Sequence, residues 1–288
     1  MHFNLETRYS YFIKVLSFVV KLSFNSRILL KEFQSLASSF QFVNRIRGFD
    51  LEYEVLTRNH RALLMKDGEV VYETPGCIDL LIKLQELILK DFIRFTKNRY
   101  YLIHSAVLVK NGRAILFPGA SKSGKSTLSI ALLRHGFKYI SDEVAAINLS
   151  TLRANGFPRA IVIREKTLSL FPALEPEINH LCYKLVSSGK NRKIHYGIPS
   201  EKKLASMKKA FPISAILFPK YNPKGATFLS EIKPRSVAVF ELMQCSLNQR
   251  WLKEEGFRTA ARLVNQTECY NLQTNNLEDV CKIVSKFV

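Results

Sequence analysis

The run Gly119-Ala120-Ser121-Lys122-Ser123-Gly124-Lys125-Ser126 carries the G-x-x-x-x-G-K-[ST] spacing of a phosphate-binding loop. Its two outer glycines let the backbone curl so that successive N–H groups face a bound phosphate, and the helix that follows adds its positive N-terminal end. Lys125 supplies a mobile cation for the β- and γ-phosphates of a nucleotide, and the Ser126 hydroxyl is placed to ligate Mg2+. With Thr127, these residues form the candidate nucleotide site. The bland alternative, a glycine-rich turn without a ligand, fits the flanks less well. Residues 113–117 (RAILF) read as a buried strand entering the loop, and residues 127–133 (TLSIALL) as the amphipathic start of a helix leaving it.

Further reactive side chains lie on either side of the loop. Upstream, residues 105–109 and 113–117 flank Asn111-Gly112, a strong two-residue hairpin signal. That turn sets Lys110 opposite Arg113 and His104 opposite Gly119, which brings the imidazole beside the phosphates. Downstream, the helix ends at His135-Gly136, and residues 137–140 (FKYI) read as a short strand that stops at Ser141-Asp142-Glu143. If that strand runs parallel to the loop's entry strand, its carboxyl end emerges on the loop's edge, where open α/β sheets bind ligands. One carboxylate can then hold the metal while the other takes a proton from an attacking hydroxyl. Arg159, Arg164 and Arg192 are candidates for stabilising the transferring phosphoryl group, each weighed against an ordinary surface charge.

The ordered set of residues 103–109 (IHSAVLV), the GASKSGKST loop and residues 134–144 (RHGFKYISDEV) resembles the C-terminal domain of HPr kinase/phosphorylase. The likeness is specific over residues 104–146 and loose beyond them. It implies an α/β phosphate-loop kinase core similar to that of phosphoenolpyruvate carboxykinase, with ATP and Mg2+ as cofactors. Lys125 and Ser126 would bind phosphates and metal, Asp142 and Glu143 would divide base and metal duties, and His104 would assist on the acceptor side. Asp142 is favoured as the base, with Glu143 beside Ser126 on the metal. Glu143 stands where the family commonly has Asp, and no G-G-R-N-type segment follows the acids. The pattern is closer to HPr-kinase-related proteins found beside peptide-maturation genes, including kinases of lasso-peptide serines. The acceptor it implies is a serine on a peptide or small protein.

The elements that must position this chemistry are read from the rest of the 288 residues. We expect an N-terminal α+β module at 1–100 and the kinase domain at 101–288. In the first, Asp67-Gly68 reads as a hairpin turn, and Leu81, Leu84, Ile88, Phe92 and Phe95 as one buried helix face. A balance of 43 Lys+Arg against 24 Asp+Glu gives a net charge of +19. It favours anionic partners without choosing among them, and basic residues too dispersed for a nucleic-acid stripe make nucleic acid the weaker option. The five cysteines form no C-x-x-C pair and read as reduced, mostly buried thiols of a cytoplasmic protein. The apolar stretch 11–24 contains Lys14 and Lys21 and is too short to span a bilayer. Two rival functions remain open at this point, a small-molecule kinase on the same scaffold and a nucleotide-gated anion-binding protein with little turnover; a homo-oligomer is compatible with each.

Overall fold

A computed structural model describes residues 9–44, 46–58, 61–171, 174, 178–187 and 190–288, with the backbone alone at 58, 185–187 and 190–192. The N-terminal part contains β1 (Tyr9–Val15), β2 (Phe18–Phe24), α1 (Arg27–Leu36), β3 (Gln41–Val43), β4 (Leu51–Arg58), β5 (Arg61–Lys66), β6 (Glu69–Thr74) and α2 (Cys77–Thr96). Its strands form one sheet in the order β3-β1-β2-β4-β5-β6. The apolar stretch at 11–24 is therefore a hairpin, β1 paired antiparallel with β2. The Asp67-Gly68 turn joins β5 to β6, both residues at positive φ. Leu81, Leu84, Ile88 and Phe92 of α2 are buried, whereas Phe95, in the last turn, is 46% exposed, with its ring against that of Phe18. Asp91 is buried on the same helix because Lys66 Nζ and the Tyr53 hydroxyl both donate to its carboxylate, at 2.7 and 2.6 Å.

The remainder contains β7 (Tyr100–Lys110), β8 (Arg113–Pro118), α3 (Lys125–Arg134), β9 (Lys138–Ser141), β10 (Val144–Asn148), β11 (Ala154–Gly156), β12 (Ile161–Ile163), α4 (Glu165–Leu168), β13 (Ile178–Ser187), β14 (Lys190–Pro199), β15 (Ile213–Tyr221), β16 (Phe228–Glu231), α5 (Arg235–Gln244), α6 (Gln249–Leu252), α7 (Glu254–Gln266), β17 (Glu268–Thr274) and α8 (Leu277–Val284). The central sheet runs β11-β10-β7-β8-β15-β17-β16, with β9 also on β7. The fold is thus mixed α/β, and the sheet is mixed too: β8, β15 and β17 are parallel while β7 is antiparallel to β8. Alternate residues of β7 serve opposite layers. Ile103, Val107 and Val109 pack with Ala238, Leu242 and Leu263 of α5 and α7, and Ala106 and Leu108 pack with Leu128, Leu132 and Val280 of α3 and α8. A strand covered on both faces has to be apolar at nearly every position, which is how residues 101–109 read.

A third sheet, β12-β14-β13, ties these parts together. Tyr196 and Ile198 of β14 join the N-terminal core, while Ile161, Ile163 and Ile178 join the α3 layer. Among the cysteines, only Cys269 and Cys281 are buried; Cys77 and Cys245 are half-buried and Cys182 is exposed, so the expectation of mostly buried thiols fails for three of the five. None is in a disulfide among the described residues. Among them, no helix is long and apolar enough to cross a membrane.

Candidate active site

The hairpin that carries the loop has the register expected from its turn. Asn111 and Gly112 both take positive φ, Lys110 pairs with Arg113, and Ser105 pairs with Pro118. One step further, the Gly119 N–H donates to the His104 carbonyl at 3.2 Å, so the loop starts level with His104. A Cβ on Gly119 would lie 2.8 Å from Ser123 Oγ and 3.2 Å from its Cβ, so a side chain there would force Ser123 to shift. Lys122 and Gly124 take positive φ, and Gly124 caps α3 without a side-chain hydrogen bond. The first N–H groups of α3 are left free for a ligand, as an anion site at a helix N-terminus requires.

Lys125 is buried and donates to the loop's own carbonyls, Gly119 at 2.6 Å and Ala120 at 2.9 Å. Burial lowers its pKa, opposed by the charges of Asp142 and Glu143. The Ser126 hydroxyl donates to Asp142 Oδ2 at 2.9 Å. Thr127 Oγ1 lies 3.0 Å from Thr167 Oγ1, which fixes α4 beside the start of α3.

The acids arrive as the strand directions require. β9 is antiparallel to β7, hence runs the same way as β8, and its carboxyl end opens onto the loop's edge. The turn beyond it is held by Ser141, whose Oγ accepts from the N–H groups of Glu143 (3.2 Å) and Val144 (3.0 Å) and donates to the Phe157 carbonyl (2.8 Å). Val144 then pairs with His104, which sets the imidazole next to Glu143. Burial and then the charge of Lys125 lower the His104 pKa, so the ring is neutral near pH 7. Asp142 is 6% exposed, and burial followed by the charge of Glu143 pushes its carboxyl up to about 6. Glu143 is more accessible, its side chain 35% exposed.

Two residues behind the acids were not assigned these places from sequence. Tyr139, fully buried, sets its hydroxyl 3.0 Å from Asp142 Oδ1 and 2.7 Å from the Arg159 carbonyl. Arg159, one of three arginines offered for the phosphoryl group, is instead buried behind the acids, with Nη1 3.8 Å from Glu143 Oε2. Arg164 lines the cleft and reaches Ser121 Oγ at 3.5 Å. The side chain of Arg192 lies outside the described residues. His104, Ser121–Thr127, Asp142 and Glu143 share one cleft of about 850 Å³, whose other walls are the β12–α4 segment, the carboxyl ends of β15 and β17, and the start of α8. Arg164 marked the first of these walls from sequence; no signal marked the others.

The turn bearing the acids has little room behind it. A Cβ on Gly156 would lie 2.7 Å from Ile140 Cγ2, 2.8 Å from Ser141 Cβ and 2.9 Å from the Val144 carbonyl. Gly156→Ala is therefore expected to destabilise the protein by about 1–3 kcal/mol. Urea unfolding checks it; unchanged stability would contradict the packing.

No family model matches the chain, and no curated protein matches it. Among solved structures it is similar to the HPr(Ser) kinase/phosphatase from Coxiella burnetii, at 10% identity over 65% of this chain and 92% of that chain, with a TM-score of 0.28. So loose an overlay carries no argument about activity, and the functional reading rests on the loop and the side chains gathered around it.

Proposed function

We propose that the chain is an ATP-dependent phosphotransferase that moves the γ-phosphoryl group to a hydroxyl, the acceptor being a serine of a peptide or small protein. The observation that carries this reading is the convergence of Lys125, Ser126, Asp142 and Glu143 at one end of an anion-binding loop, with the Ser126–Asp142 hydrogen bond at its centre.

The division of labour supported by this geometry is the reverse of the one favoured from sequence. Asp142 is buried and already joined to Ser126, so it belongs on the metal side, and the accessible Glu143 is the base. The hydroxyl of Ser126 and the carboxylate of Asp142 are hard oxygen donors that suit Mg2+, which when bound neutralises phosphate charge. Glu143 takes the proton of the acceptor hydroxyl as that oxygen bonds to the γ-phosphorus. The bond to the β,γ-bridging oxygen breaks, and ADP leaves with the electron pair. Lys125 exchanges its two loop carbonyls for phosphate oxygens and offsets the charge that develops on the leaving group. Arg159 orients Glu143 from behind, Arg164 faces the phosphates from the rim, and neutral His104 hydrogen-bonds on the acceptor side.

A peptide acceptor, with a ribosomally made lasso peptide as the specific case, is supported by the sequence resemblance. The test is transfer of label from γ-labelled ATP, with Mg2+, to serine-bearing peptides including lasso precursors. Labelled serine that disappears with Glu143→Gln is the expected result. Label on small hydroxy compounds alone would sink the peptide acceptor, and nucleotide binding with no labelled acceptor of any kind would sink the kinase reading.

A further inference from the structure

We propose that β12 and the turn after α4 carry the seat for the nucleotide's base, formed by Val162 and Leu170. This rests on the reading of the loop as a nucleotide site and adds the part of the ligand that the loop does not touch. The cleft is chemically divided. One end is the loop, with Ser121, Lys125 and Ser126 and the acids; the rest is walled partly by apolar side chains that face solvent. Of twelve large apolar side chains exposed among the described residues, three line this one cleft: Val162 at 37%, Leu170 at 57% and Tyr221 at 63%. An exposed apolar group at the mouth of a cationic pocket has no use for a bare polyphosphate. It suits a ligand that joins phosphates to a flat ring.

Position decides which wall serves. In a loop of this kind the γ-phosphate end lies toward the acids, and the α-phosphate end lies along the first turn of the helix, at Thr127. The Thr127–Thr167 contact sets α4 against that turn. Leu170 follows within one more turn, its N–H donating to the Thr167 carbonyl at 3.1 Å. The next residue, Phe171, is buried in the α3 layer under the Arg134 guanidinium, so the turn is anchored and Leu170 is left facing out. Val162 faces the cleft between Ile161 and Ile163, which point into the core. Tyr221 stands at the carboxyl end of β15 and is the competing platform.

The experiment is calorimetric titration of the full chain with ATP, ADP and inorganic tripolyphosphate in the presence of Mg2+. Leu170→Gln and Val162→Thr are compared with Tyr221→Ala, and thermal melts confirm folding. Loss of a well-packed apolar contact on the base is expected to weaken ATP and ADP by about tenfold in Leu170→Gln and to leave tripolyphosphate unchanged. Parallel loss of tripolyphosphate, nucleotide affinity within twofold of the parent, or a nucleotide-selective loss confined to Tyr221→Ala would each overturn the seat. Equal affinity of the parent for ATP and tripolyphosphate would remove any base site. A parent that binds neither would instead overturn the phosphate-loop reading beneath the proposal.

Discussion

Lys125→Met is expected to lower the rate of phosphoryl transfer at saturating ATP by about three orders of magnitude. The ammonium is the buried side-chain cation of the loop, and under the proposed function its interactions with the phosphates strengthen as charge moves to the leaving oxygen. In a site shielded from water such a donor counts for far more than it would in bulk solvent. Methionine keeps the length and packing of the stem, so the effect reports charge rather than a cavity. It also removes a cation that burial disfavours, so the variant should melt no lower than the parent. A steady-state assay with a thermal melt checks both parts. A kcat within tenfold of the parent would show that Lys125 does not follow the transferring charge.

Asp142→Asn should impair transfer and yet stabilise the ligand-free protein. The Asp142 carboxyl is pushed up to about 6 by burial and by Glu143, above its ordinary value of 3.8. The native state therefore binds this proton more tightly than the unfolded chain. Its contribution to stability is fully present below pH 3.8 and is lost as pH rises toward 6, to an extent of about 3 kcal/mol. Asparagine is neutral throughout; its oxygen still accepts from Ser126 and its amide can donate to the Tyr139 hydroxyl. At pH 7 the variant is expected to be more stable by as much as about 3 kcal/mol, with the difference vanishing below pH 4. Urea midpoints across that range measure it. A variant less stable at pH 7, or a difference independent of pH, would contradict the burial of an uncompensated carboxylate.

The parts of this site that could be read from sequence are those fixed by local rules. The Asn111-Gly112 turn admits one register, and that register places His104 level with Gly119. A helix and a short strand after the loop bring Asp142 and Glu143 to the loop's edge if the strand runs parallel to β8, and it does. What escaped depends on distant packing. Arg159 reads as a surface charge until the chain folds it under the acids, and the Tyr139 hydroxyl reaches Asp142 only because the strand turns sharply at Ser141. The alternation of β14 buries His195 beside His180 and sends Tyr196 into the N-terminal core, a placement that the residue types alone do not give. Asp91 and Phe95 escaped for the same reason, since helical spacing says which side faces inward but not where the covering sheet ends.

The most direct test of the central claim is a single-turnover reaction of excess enzyme with ATP labelled at either the α or the γ position, with Mg2+ and serine peptide, for the parent and for Glu143→Gln. The account predicts that only γ-label moves to the peptide, and that Glu143→Gln still binds ATP while transferring at least a hundredfold more slowly. Nucleotide bound tightly by both proteins, with γ-label that never leaves ATP, would contradict it and make the loop a sensor of nucleotide rather than a catalyst.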